Sequence, residues 1–211
     1  MRDGELAPYC GGGGIVEIDE TSQGRDPDAA PSAMAIRNMN AVLTLVERGG
    51  RARSIVMPVD HLNATEITAI LTANVAKEAR LMTDEAKHYI TPGKAFADHQ
   101  SVTHGRGEYV RRQEPEVHSN TVEGFYSIFK RGMKGVYQHC SKKHLHRYAA
   151  EFDFRYSNRS ALGIEDQMRA EIALKGVVGR RLTYRRPSAG TATAEVGPEA
   201  LVAGWGDWRT V

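Results

Sequence analysis

Short apolar runs come first along the chain, and helically spaced apolar positions dominate later. Ile15-Val16-Glu17-Ile18-Asp19 is an apolar run closed by a carboxylate and predicts a strand over residues 15–19. Residues 21–32, with their Asp, Pro and Gly, predict a loop. Two β-rich runs, 40–47 and 53–59, flank Arg48-Gly49-Gly50-Arg51 and predict a hairpin. Over 65–79, Ile67, Ile70, Leu71 and Val75 recur at helical spacing, with Asn63 or Thr65 as the N-cap. Residues 80–83 are short and apolar and stop at Asp84, as a buried parallel strand would. A short helix over 85–90, halted by Thr91-Pro92-Gly93, and a last strand over 100–104 follow.

Three amphipathic helices complete the pattern. Val122, Phe125, Phe129 and Met133 form one stripe over 121–133. Leu145, Tyr148, Ala149, Phe152 and Tyr156 form another over 142–156, and 163–175 makes a third helix. A hairpin, a helix, a strand and then helices predict an α/β fold, a mixed sheet flanked by helices. The order resembles that of a ribonuclease H-like fold. The main domain is placed at 15–160. Residues 1–14, ending in four glycines, read as a flexible leader, 161–186 as a basic helical segment, and 187–211 as a disordered tail without apolar period. Trp205 and Trp208 in that tail have no assigned packing.

Composition narrows the class. With 41% hydrophobic and 26% charged residues, the 211-residue chain has enough apolar material for one core. Its apolar runs are too short to span a bilayer, and Met1-Arg2-Asp3-Gly4-Glu5 lacks a signal-peptide core. A cytoplasmic protein without a membrane partner is expected. Cys10 and Cys140 are the only cysteines, which excludes a disulfide framework and a Cys-x-x-Cys zinc site. His139, Cys140, His144 and His146 cluster in sequence without a standard zinc spacing. The net charge of +2 conceals an uneven distribution. Residues 1–100 carry 10 Lys and Arg against 14 Asp and Glu, whereas 101–186 carry 17 against 9. A basic half beside an acid-bearing half suits an anionic polymer lying over a metal site.

The acids supply candidate chemistry. Magnesium prefers hard oxygen ligands, and a pair of such ions can activate a water or a 3′-hydroxyl toward a phosphate. Asp19 and Asp84, each closing an apolar run, are the first two candidates. Strand alternation puts Glu17 on the face of Asp19 and Glu20 on the other, so Glu17 either assists or is exposed. Glu85 competes with Asp84 in the same way. In His118-Ser119-Asn120-Thr121-Val122-Glu123-Gly124-Phe125, both Asn120 and Glu123 are candidates for a third position. Asn120 as N-cap with Glu123 three residues later also fits a capping box. Lys130 stands two helical turns beyond Glu123 and would reach a phosphate.

These segments resemble a known family. Val16-Glu17-Ile18-Asp19-Glu20-Thr21, Thr83-Asp84-Glu85 and the stretch from His118 to Phe125 lead into Lys130-Arg131-Gly132. Lys142-Lys143-His144-Leu145 and Glu151-Phe152-Asp153-Phe154-Arg155-Tyr156 follow. The ordered set is similar to the ISXO-two-like transposase domain of bacterial insertion sequences, over residues 14–159. The resemblance implies a ribonuclease H-like DDE domain with Asp19 and Asp84 as its aspartates, Glu123 or Asn120 as the third group, and Lys130 as the helix lysine. It also implies Mg²⁺ or Mn²⁺ as cofactor, and transposon-end and target DNA as partners; a second copy of the chain, as a homo-oligomer, is a further candidate partner. The reaction would be cleavage at transposon ends and attack of the freed 3′-hydroxyl on target DNA. Lys130, Arg131, Lys134, Lys142 and Lys143 are the expected DNA-contacting cations. Two departures stand out. No zinc ribbon or helix-turn-helix precedes residue 14, so a truncated copy is expected, and Ser22-Gln23-Gly24-Arg25-Asp26 replaces an aromatic, glycine-rich segment. A DNA-binding remnant without catalysis, and a nuclease unrelated to transposition, are the alternative readings.

Overall fold

The computed structural model describes residues 8–25, 39–103, 105, 110–111, 114, 116–138 and 140–178. Its strands are β1 (Ile15–Arg25), β2 (Met39–Glu47), β3 (Ala52–Pro58), β4 (Arg80–Thr83) and β5 (Asp98–Ser101). Its helices are α1 (Ala64–Asn74), α2 (Ile90–Gly93), α3 (Asn120–Gly132), α4 (Lys142–Ser157) and α5 (Asp166–Lys175). The strands form one sheet in the order β3-β2-β1-β4-β5. β1 runs antiparallel to β2 and parallel to β4, and β5 continues the parallel part. This mixed sheet flanked by helices is the expected ribonuclease H-like α/β fold.

Helices cover the sheet on both faces, which explains why residues 40–46 of β2 are all buried. On one face Val16, Ile18, Leu43, Leu45, Ile55 and Leu81 pack with Ile67, Ile70 and Leu71 of α1. On the other, Val42, Val46 and Ala52 meet Val122, Phe125, Phe129 and Met133, with Leu145 and Phe152 of α4 behind them. Asn63 caps α1 through its side chain, accepting from the Thr65 and Glu66 amides at 3.1 and 3.0 Å.

Several boundaries differ from expectation. β1 runs on to Arg25 where a loop was expected from residue 21, because Thr21, Ser22 and Gln23 pair with Val42, Ala41 and Asn40. Ladder bonds to a central strand hold this polar stretch extended without an apolar run. α1 stops at Asn74 instead of continuing to 79, because Val75 leaves the helix to bridge Tyr9. The Tyr9 amide donates to Asn74 O at 2.8 Å, and the Ala76 amide donates to Tyr9 O at 2.9 Å. Tyr9 and Cys10, within the expected leader, are therefore buried core residues. Thr91-Pro92-Gly93 does not stop a helix at Ile90; it forms the rest of α2, which ends at Gly93 and follows a 3₁₀ turn over Lys87–Tyr89. Pro is tolerated there because first-turn N–H groups have no helical partner. β5 begins two residues before its expected start. α5 buries none of its residues. His104, His139 and the tail at 187–211, with Trp205 and Trp208, lie outside the described residues. No described helix is long and apolar enough to cross a membrane.

Candidate active site

Strand register brings the two aspartates together. The parallel pairing of β1 with β4 ends at Glu17 opposite Met82. Two residues further along each chain come Asp19 and Asp84, and the Asp84 charge acts on Asp19. Asp19 is not at a strand end as expected. It sits inside β1, opposite Thr44 of β2, and it is β4 that ends beside it. Asp84, immediately past Thr83, accepts the Ala86 amide through Oδ1 at 2.9 Å. Glu85 turns elsewhere and accepts the Gly105 amide at 3.1 Å.

α3 brings the third acid. Its N-cap is Ser119, not Asn120, and no side chain of its own first turn caps it. The cap comes from Glu17 on β1, whose Oε2 accepts the Thr121 and Val122 amides at 2.7 and 2.9 Å. Glu17 Oε1 accepts the Thr121 hydroxyl at 2.7 Å and pairs with Arg48 Nε at 2.5 Å. Glu17 is thus neither exposed nor a site ligand; at 0% exposure it is a fully paired buried charge. The His118 ring lies beside it, with Nδ1 at 3.0 Å from Arg48 Nη2 and 3.3 Å from the Asn120 amide. Glu17 Oε1, an acceptor, lies 3.2 Å from the same ring nitrogen.

The expected capping box is therefore absent. Glu123 instead accepts the Ser119 hydroxyl at 2.8 Å, while Asn120 is exposed at the first helical position. Three residues on, the Tyr126 hydroxyl shares its single proton between Asp19 O at 2.6 Å and Val42 O at 2.8 Å, fastening the helix to β1 beside the acid. Lys130 Nζ lies 5.9 Å from the centre of the Tyr126 ring. Lys130, Arg131, Lys134 and Lys143 are exposed and Lys142 half-buried. They follow one another along α3, a π-helical segment at Met133–Tyr137 and the start of α4.

The electrostatics identify Asp19 as the crowded member. Burial, and then the charges of Glu20, Asp84 and Glu123, push its carboxyl up to about 7, against a lowering hydrogen bond from the Glu20 amide. Glu20 itself points away. Burial would raise it, but hydrogen bonds from His88 and Tyr89 hold it below the usual carboxylate range. The Tyr89 hydroxyl donates to Glu20 Oε2, and His88 Nε2 is 3.5 Å from Oε1. Among the described residues, no three His, Cys, Asp or Glu side chains are gathered closely enough to form a ready metal cage. Magnesium does not need one, since one or two carboxylates with waters and substrate phosphate hold it. A donor set of hard carboxylate oxygens, with one acid raised by its neighbours' charge, fits such an ion.

Sequence reasoning missed Glu17 as the cap of α3, Ser119 as the partner of Glu123, and Tyr126 as the tie to Asp19. Glu17 was visible only through its place one alternation before Asp19. Residues 12–157 match the family of the ISXO2-like transposase domain. No curated protein matches the chain.

Proposed function

Because the chain belongs to the ISXO2-like transposase domain family, we propose that it acts as the catalytic domain of an insertion-sequence transposase, cleaving and joining DNA strands. The observation that supports this reading is that Asp19 on β1 lies within reach of the charges of Asp84, just past the strand paired beside it, and of Glu123. Asp19, Asp84 and Glu123 would hold Mg²⁺ or Mn²⁺. When bound, the ions supply Lewis acidity for in-line attack of a water or a 3′-hydroxyl on a DNA phosphate.

The chain's own residues have separate tasks. Asp19 would serve as a ligand in its ionised form, and a bound cation would oppose the burial and neighbouring acids that raise it. Tyr126 fixes the backbone carrying Asp19. Lys130, Arg131, Lys134, Lys142 and Lys143 would take the phosphates flanking the reacting one. Glu123 is preferred to Asn120 as the third acid, because its charge reaches Asp19.

A pre-cleaved transposon-end duplex incubated with target DNA and Mg²⁺ or Mn²⁺ tests the reading. Joined product is expected from the wild-type chain and not from Asp84→Ala. Equal joining by both would overturn it. The second reading, DNA binding without chemistry, draws on the lack of a ready metal cage among the described residues. It predicts binding that weakens with salt, ignores the metal and yields no joined product.

A further inference from the structure

A serine at the N-cap ordinarily accepts a first-turn amide through its own hydroxyl. Ser119 makes no such bond. The amides it would serve go instead to Glu17 Oε2, 104 and 105 residues away in sequence, at 2.7 and 2.9 Å. The Ser119 hydroxyl donates to Glu123 Oε1 at 2.8 Å. We propose that Glu17 and Ser119 are positioning residues acting in series. The strand carboxylate takes over the helix cap, and the serine so redirected steers Glu123 toward Asp19. This inference rests on the active-site reading above.

Three further contacts support it. Arg48 neutralises Glu17 and also donates to Glu116 O at 2.7 Å and His118 O at 2.8 Å, stitching the approach to α3 onto the end of β2. Tyr126 ties the helix to Asp19 O three residues after Glu123. Glu123 thus lies between two separate fastenings to the same strand, with its carboxylate oriented from its own N-cap. A buried carboxylate costs far more than a serine cap unless its lone pairs are used, and here they are. Glu17 also alternates with Asp19 on β1, so cap and ligand share one rigid backbone.

The test measures Mn²⁺ binding by calorimetry, and amide hydrogen exchange at Thr121 and Val122, in Ser119→Ala, Ser119→Thr, Glu17→Gln and the control Asp84→Ala. Ser119→Ala is expected to keep the wild-type melting temperature and amide protection but to bind Mn²⁺ about ten- to a hundred-fold more weakly, as losses of ligand-orienting groups do. Ser119→Thr should restore binding. Glu17→Gln should lose protection at the two amides and weaken Mn²⁺ binding as well. Should that variant not fold, the serine pair decides. If Asp84→Ala abolishes Mn²⁺ binding while Ser119→Ala binds like wild type, the relay is wrong and the site reading stands. If Asp84→Ala binds like wild type, the site reading has failed and the relay is overturned with it.

Discussion

Asp19 is held where its charge is unwelcome. Its carboxyl, ordinarily at 3.8, is raised to about 7 by burial and neighbouring acids. A group with a raised folded pKa favours the folded state while protonated, so its contribution is full below pH 3.8 and is lost as pH rises through 7. Asp19→Asn should therefore melt higher than wild type in metal-free buffer at pH 8, and the gap should close toward pH 4. Melting curves at the two pH values measure this, and a gap independent of pH would refute it. Asp153 carries the opposite kind of buried charge. At 4% exposure it accepts the Ser54 amide at 2.8 Å and the Ser54 hydroxyl at 2.6 Å, anchoring α4 to β3. Asp153→Ala should cost about 2–3 kcal/mol in urea denaturation, because it leaves buried donors without a partner. At this scale the sequence was legible where Asp84 follows a short buried strand, because an apolar run stops there. It was illegible where the partner lies far away in the chain. Glu17 meets Thr121 and Arg48, and Ser54 meets Asp153, and no local spacing announces either pairing.

Among the elements, α3 carries the third acid of the proposed site. It approaches α4 closely at Gly132, where an added Cβ would collide with the Phe152 ring, while the same addition at Gly124 meets open space. Gly132→Ala should destabilise by about 1–3 kcal/mol through overpacking. Gly124→Ala should stabilise by about 0.5–1 kcal/mol through helix propensity. Chemical denaturation of the two variants side by side measures the contrast, and equal effects would contradict the packing described. The stripes of α3 and α4 were read correctly from periodicity because apolar burial set them. Periodicity failed at the far end of α1, where backbone pairing of Val75 with Tyr9 outcompeted another helical turn. It failed again in β1, whose polar half owes its strand conformation to β2.

For the molecule as a whole, Asp19 and Asp84 come from the strand-rich first half, and Glu123 and the cations proposed to meet DNA come from the helical second half. DNA affinity should fall linearly on a logarithmic salt axis, and removing a phosphate-contacting lysine among Lys130, Lys134, Lys142 and Lys143 should lower the slope by about one. Fluorescence anisotropy across a salt series reads the slope, and unchanged slopes in all four alanine variants would place the DNA elsewhere. The placement of Glu17 has a consequence for genetics. On the function proposed above, a mutational scan scored only by mobility of a DNA element would rank Glu17, Arg48 and Asp19 alike, since losing any of them would silence the output. Scoring soluble yield in parallel would split the group. Changes at Glu17 and Arg48 would deplete the protein itself, while Asp19→Asn would leave abundant, inert material.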